Sequence, residues 1–184
     1  MCVQRTVNGS EDCLCLGLYS RPWTNPSAKR LVSVTFHGGA FREGSASFTI
    51  PPPTYPVLNV SQANDFIVVY PNYRLNAFGL LPGRKVKESP TADLNPGLLD
   101  QQAALAWVHK YISHFGGNPQ NVIIWGQSAG AGSVVARIAG IPLLDSSKRQ
   151  WQAPPSGPKL TVTTRQKPRP STINWYHSQA AVKK

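Results

Sequence analysis

The sequence predicts an α/β fold in which a mainly parallel sheet carries helices on its faces. Three apolar runs of strand type lie at residues 31–36, 65–70 and 121–125. Between the second and third runs, apolar residues recur at intervals of seven, three, four and three residues, which is typical of an amphipathic helix of about five turns. They are Leu98, Leu105, Val108, Ile112 and Phe115. Strands that alternate with helices favour parallel pairing, because each connection crosses a face of the sheet.

An alternating apolar segment at residues 13–18 predicts a strand near the start of the chain. The alternation places Cys13 and Cys15 on one face. Cys15 has two interpretations, a reactive or metal-binding thiol and a small buried hydrophobe. We favour the buried hydrophobe, because free cysteine is among the most buried residue types.

The positive charge of the chain is concentrated at one end. The 184 residues carry a formal net charge of +11. Residues 1–146 hold 11 basic and 8 acidic residues, or +3, whereas residues 147–184 hold 8 basic residues and no acidic ones, or +8. The first segment is long enough for one domain with a core. The second holds five prolines and no periodicity. Its charge could bind nucleic acid or acidic lipid, but we interpret it as a disordered tail and expect no nucleic-acid partner.

The sequence gives a mixed indication of compartment. It contains no run of 18 apolar residues, so we expect no transmembrane helix, and the start lacks the apolar region of a signal peptide. Two N-glycosylation motifs, at Asn8 and Asn59, suggest a secreted chain. The compartment therefore stays open.

The main candidate for chemistry is the segment Gly126-Gln127-Ser128-Ala129-Gly130. It follows an apolar strand and precedes a helical pattern of small residues, which is the context of a nucleophile elbow. Side chains two residues before and after Ser128 would clash in such a turn, so glycine occupies both positions. The sequence therefore predicts Ser128 as a nucleophile, exposed at the end of a strand.

A second glycine-rich segment, His37-Gly38-Gly39-Ala40-Phe41, directly follows another buried strand. Glycines there let backbone N–H groups point into a cavity, as an oxyanion site requires. His37 could be a general base, but we favour a structural role in bracing this loop. Arg74 could hold a substrate carboxylate, and we favour an internal salt bridge.

Read together, several segments in this order resemble the type B carboxylesterase/lipase family, which includes cholinesterases and fungal lipases. The match runs from about residue 2 to about residue 140. The segments are Ser-Glu-Asp-Cys-Leu at 10–14, His-Gly-Gly-Ala-Phe at 37–41, Asn-Tyr-Arg-Leu at 72–75, Asn-Pro-Gly-Leu-Leu-Asp-Gln at 95–101, and Phe-Gly-Gly-Asn-Pro at 115–119 leading to Gly-Gln-Ser-Ala-Gly at 126–130.

The resemblance implies roles for particular positions. Ser128 corresponds to the nucleophile of a serine esterase acting through an acyl-serine intermediate. The backbone N–H groups of Gly39, Ala40 and Ala129 correspond to the oxyanion hole. Cys2 and Cys13 correspond to a family disulfide. The implied substrate is a small-molecule or lipid ester, with no cofactor and no metal.

The resemblance also implies a partial α/β-hydrolase fold, residues 1–146, whose C-terminal half is missing. Family members are roughly three times as long, and their catalytic acid and histidine lie far beyond the nucleophile. None of His109, His114 and His177 matches the family's catalytic position. We therefore expect a truncated, nearly inactive chain. The alternatives are a non-catalytic binding or adhesion-type member of the same fold and a non-functional fragment.

Overall fold

The structure is a computed structural model, and it describes residues 1–4, 8–22, 25, 29–47, 55–61, 64–138, 161–165 and 180–181. The described strands form one six-stranded sheet with the spatial order β1-β3-β2-β4-β5-β6. They are β1 Leu16–Ser20, β2 Arg30–Phe36, β3 Phe66–Pro71, β4 Gly117–Gln127, β5 Thr161–Arg165 and β6 Ala180–Ala181.

The centre of the sheet is parallel and its edges are antiparallel. Strand β2 lies between β3 and β4 and is parallel to both, and β5 is parallel to β4. The edge strands β1 and β6 run antiparallel to their neighbours. The sequence-based prediction of an α/β fold with a mainly parallel sheet is confirmed by this arrangement.

Five α-helices accompany the described strands. They are α1 Tyr55–Val60, α2 Asn76–Gly79, α3 Arg84–Glu88, α4 Pro96–Tyr111 and α5 Ala129–Ile138. The long helix expected from the apolar spacing is α4, followed by a 3-10 helix at Ile112–Phe115. Gly116 ends this helical segment with a φ of 74°, a left-handed conformation that glycine adopts without steric cost.

The core is built on the alternation of side chains along the central strands. Val32, Val34 and Phe36 of β2 are fully buried on one face, against Val108 of α4 and Val134 of α5. The opposite face is covered by a smaller apolar cluster, comprising Ala46, Leu58, Val68 and Tyr70. Burial on both faces explains why the central strands are nearly continuous apolar runs.

Two segments of the basic tail form strands, and the expectation that residues 147–184 are disordered stays a prediction for the tail as a whole. Thr161–Arg165 pairs with the outer edge of β4, from Ile123↔Thr161 to Gln127↔Arg165, and Ala180–Ala181 pairs with it in turn. The physical reason is that this edge of β4 carries backbone N–H and C=O groups that need partners, and Thr-Val-Thr-Thr is rich in β-branched residues suited to a strand. The other tail residues, and the proposed boundary at residue 146, lie outside the described part of the chain.

Candidate active site

The two glycine-rich segments meet at one end of the sheet. Strands β2 and β4 are parallel neighbours, and Phe36 is paired with Gly126 near their carboxyl ends. The segments that follow, 37–44 and 127–130, therefore leave the sheet side by side. Clefts at the carboxyl ends of parallel strands are the usual ligand sites of open α/β sheets.

The turn between β4 and α5 has the backbone of a strained elbow. Ser128 is exposed and has a φ of 53°, which is rare for a residue with a side chain. A Cβ added to Gly126 would lie 2.3 Å from the carbonyl carbon of Gly130, and one added to Gly130 would lie 2.2 Å from the carbonyl oxygen of Phe36. The strand and the helix thus approach too closely for any residue but glycine at both positions.

The loop after β2 lies directly against this elbow. A Cβ on Gly38 would be 3.2 Å from the Cβ of Ser128. Gly39 and Ala40 follow with φ values of 108° and 54°. Within the described residues, their N–H groups donate to no protein acceptor. Ala129 is the first residue of α5, where an N–H group has no acceptor inside the helix. Three backbone donors therefore lie on the two segments that flank the Ser128 hydroxyl.

His37 is a buried brace beneath this loop. Its Nδ1 lies 2.8 Å from the carbonyl oxygen of Gly38, which can only accept, so Nδ1 carries the proton. Its ring stacks on Tyr73 at 4.2 Å, and the Tyr73 hydroxyl donates to the His37 carbonyl oxygen at 2.6 Å. Its Nε2 is buried and has no partner among the described groups. Burial lowers the pKa of His37 and raises that of Tyr73, so both rings stay neutral.

Tyr73 was not singled out as a site residue by sequence reasoning. It is almost completely buried, and its hydroxyl holds the start of the loop after β2. Its position directly after a buried strand was visible in the sequence, but the contact with His37 depends on β2 and β3 being neighbours. Arg74, next in the chain, forms the internal salt bridge expected for it, with Asp100 at 2.7 Å.

A buried polar contact between α4 and α5 was also missed. The Gln101 side-chain amide donates to the Ser133 hydroxyl at 3.0 Å, and that hydroxyl donates to the carbonyl oxygen of Ala129 at 3.1 Å. One turn further along α5, Arg137 donates to the carbonyl oxygen of Leu98. Burial lowers the pKa of Arg137 to about 10, so it stays cationic near neutral pH. These bonds fix the helix that begins at Ala129.

A disulfide joins Cys2 and Cys13. The loop that it closes is attached to the site, because the Gln4 side chain exchanges two hydrogen bonds with the backbone of Gly44. Cys15 is free and exposed, so the prediction of a buried thiol is wrong. The Cys15 N–H donates to the Cys13 carbonyl oxygen at 2.9 Å, a tight local turn that interrupts the expected alternation before β1 begins.

No described side chain forms a hydrogen bond with the Ser128 hydroxyl. His109 lies in the last turn of α4 and His114 in the 3-10 helix before β4, whereas Ser128 follows the other end of β4. His177 lies outside the described residues. In the same described part of the chain, no group of three His, Cys, Asp or Glu side chains could hold a metal ion.

The comparison with known proteins identifies the family. A sequence model of the carboxylesterase family matches residues 2–149. The chain belongs to the carboxylesterase family. This match extends slightly beyond the segments that carried the resemblance in the sequence. Similar proteins occur in the nematode Caenorhabditis briggsae, the fungus Geotrichum candidum and the bacterium Bacillus subtilis.

Two curated relatives give the scale of the similarity. Acetylcholinesterase 4 of Caenorhabditis briggsae is 45% identical over 130 residues, which cover 70% of this chain and 20% of the relative. The para-nitrobenzyl esterase of Bacillus subtilis is 44% identical over 130 residues, covering 71% and 25%. The chain thus spans about a fifth to a quarter of the length of these curated relatives.

Solved esterase structures share the fold. A PNB esterase is 39% identical with a TM-score of 0.63, covering 79% of this chain and 30% of that one. Aspergillus niger EstA is 37% identical with a TM-score of 0.61, covering 72% and 24%. This carboxylesterase-family chain therefore has part of the α/β-hydrolase architecture. None of its described helices has the length and apolar character needed to cross a membrane.

Proposed function

We propose that this chain carries the nucleophile and the oxyanion hole of a serine hydrolase that cleaves carboxylic esters. The observation that carries the proposal is the exposed Ser128 at a φ of 53°, next to the backbone donors of Gly39, Ala40 and Ala129. The substrate class is a small-molecule or lipid ester. The similarity to an acetylcholinesterase and to a para-nitrobenzyl esterase supports this reaction class.

In the proposed reaction, Ser128 Oγ attacks the ester carbonyl carbon and gives its proton to a general base. The carbonyl oxygen becomes an oxyanion, which accepts hydrogen bonds from the three N–H groups. The positive end of the α5 dipole stabilises the same charge. Collapse of the intermediate breaks the bond to the alcohol oxygen, and the alcohol leaves with a proton. In the second half, water attacks the acyl carbon and gives a proton to the base. The bond to Ser128 Oγ then breaks, the serine regains a proton and the carboxylic acid leaves.

The general base and its orienting acid are not assigned to any of these 184 residues, since none of His109, His114 and His177 matches the catalytic position implied by the family resemblance. His37 does not suit the role, because its Nε2 is buried beneath the loop and its Nδ1 bonds to Gly38. Removal of the base from a comparable triad lowers turnover by about six orders of magnitude. The 184 residues alone are therefore expected to react with activated probes slowly and to turn over esters very poorly.

A fluorophosphonate probe tests the assignment directly, because it forms a covalent bond with an activated serine. We expect slow labelling of the parent chain at Ser128, located by peptide mapping, and no labelling of Ser128→Ala. Ser113→Ala is the matched control, since Ser113 is an exposed serine at the far end of β4. Equal labelling of Ser128→Ala and the parent would refute the nucleophile. A folded parent that never labels would favour the non-catalytic binding module.

A further inference from the structure

Two exposed asparagines lie in the motif that receives N-linked glycans in the secretory pathway. The segments are Asn8-Gly9-Ser10 and Asn59-Val60-Ser61, each with a hydroxyl residue two positions after the asparagine and no proline between. The motif alone is common by chance. The structure adds independent observations about exposure and redox environment.

The first observation is that both asparagines are accessible on the folded chain. Asn8 is exposed, as are Gly9 and Ser10. Asn59 is exposed near the end of α1, and the next residue, Val60, is 75% exposed. Neither asparagine amide forms a hydrogen bond with a described group, so a sugar on either nitrogen displaces no contact of the described fold.

The second observation is the Cys2–Cys13 disulfide, which encloses the first motif. Disulfides form and persist in oxidising compartments, and these include the compartment in which N-glycans are transferred. The disulfide and the two motifs thus indicate the same oxidising, secretory environment. The two indications are independent, because they involve different residues and different chemistry.

We infer that Asn8 and Asn59 are N-glycosylation sites. The donor is an oligosaccharide carried on a polyprenyl diphosphate. The side-chain amide nitrogen forms a bond to C1 of the first sugar, the bond from C1 to the diphosphate oxygen breaks, and the diphosphate leaves. The amide proton passes to a base of the transferase.

The local hydrogen bonds indicate that transfer precedes local folding. In the folded chain, the Ser61 hydroxyl donates to the Asp65 carboxylate at 2.5 Å, and the Ser10 hydroxyl accepts from the Asp12 N–H at 3.1 Å. In the folded chain, both motif hydroxyls therefore already form hydrogen bonds within the protein. The glycan at Asn8 is then carried by the loop that Gln4 ties to Gly44, beside the oxyanion-type segment.

The test uses the full chain placed behind a cleavable signal peptide and translated with endoplasmic-reticulum membranes. Only molecules protected from added protease are scored, so every scored molecule has reached the transferase. We expect two glycan increments that an N-glycan-removing endoglycosidase abolishes. Asn8→Gln and Asn59→Gln each remove one increment, and the double variant has none. Asn121→Gln, an exposed asparagine outside any motif, is the matched control and retains both.

Hydroxyl variants separate recognition from a structural effect. Ser10→Ala and Ser61→Ala should each remove one increment, whereas the corresponding threonine variants should keep it. Protected parent chain without an endoglycosidase-sensitive shift would overturn the proposal. An unchanged pattern in either asparagine variant would overturn that site. Neither result depends on esterase activity.

Discussion

Gln101 and Ser133 form a fully buried side-chain pair between α4 and α5, with 3.0 Å from the amide nitrogen to the hydroxyl oxygen. The Ser133 hydroxyl in turn donates a hydrogen bond to the carbonyl oxygen of Ala129, the first residue of α5. Gln101 of α4 therefore stabilises, through Ser133, the N-terminus of the helix that follows the proposed nucleophile. The amide oxygen of Gln101 has no partner among the described groups.

This pair predicts an asymmetry between two substitutions. Ser133→Ala should lower the free energy of unfolding by about 1–3 kcal/mol, because it leaves the whole buried amide of Gln101 unsatisfied. Gln101→Met should cost about 1 kcal/mol or less, since it removes the unpartnered oxygen together with the hydrogen bond. Urea unfolding of both variants measures the difference. A Gln101→Met variant that is less stable than Ser133→Ala would contradict the buried pairing.

The elbow glycines give a second prediction. Gly130→Ala places a Cβ against the carbonyl oxygen of Phe36, a backbone atom that cannot rotate away. We expect a loss of about 3 kcal/mol, the upper end of the usual cost of overpacking, or insoluble protein. Gly83→Ala is the matched control, because its added Cβ meets nothing within 4 Å and its φ of 176° is extended. Soluble expression and thermal unfolding would compare the two, and equal melting would disprove the close strand–helix approach.

The role of these glycines was predictable from the sequence because it depends only on neighbouring residues. The end of the strand, the turn and the start of the helix all lie within Gly126–Gly130. The glycine-rich loop after β2 is likewise a single short segment. The Gln101–Ser133 pair was not predictable in this way, because two ordinary polar residues on separate helices meet only after the helices pack. The burial of Cys15 was wrongly predicted because that prediction used the residue type alone, whereas a local turn from Cys13 to Cys15 leaves the thiol exposed.

The buried His37 predicts a pH dependence of stability. Burial lowers its pKa in the folded chain below the ordinary value of about 6.5, which the unfolded chain retains. Between these two values the unfolded chain binds more protons, so stability falls as pH decreases through this window and is fully present above it. The slope is at most about 1.4 kcal/mol per pH unit for one group.

Urea unfolding from about pH 8 down to about pH 5.5 measures this slope. His37→Asn should be less stable overall but should lose the His37 contribution to the slope, because its side chain does not titrate. His114→Gln is the matched control, because it replaces an exposed histidine of the 3-10 helix and so separates the effect of the buried ring from that of replacing any histidine. An identical slope in the parent and His37→Asn would show that the ring takes up its proton as freely in the folded chain as in the unfolded one.

The pairing of β5 with β4 gives the last prediction. Because Thr161–Arg165 covers one edge of the strand that leads to Ser128, its removal exposes the backbone of Ile123–Gln127 beside apolar faces. A chain ending at residue 146 should therefore aggregate more than the full chain in light scattering. In the full chain, Val162→Pro should also increase aggregation, since proline removes a backbone donor from the middle of β5.

Trypsin digestion tests the same pairing. Trypsin should cut after Arg165 no faster than it cuts the body, because a paired strand does not readily enter a protease site. Rapid removal of the tail from a body that then melts as sharply as the parent would show that β4 does not need this partner.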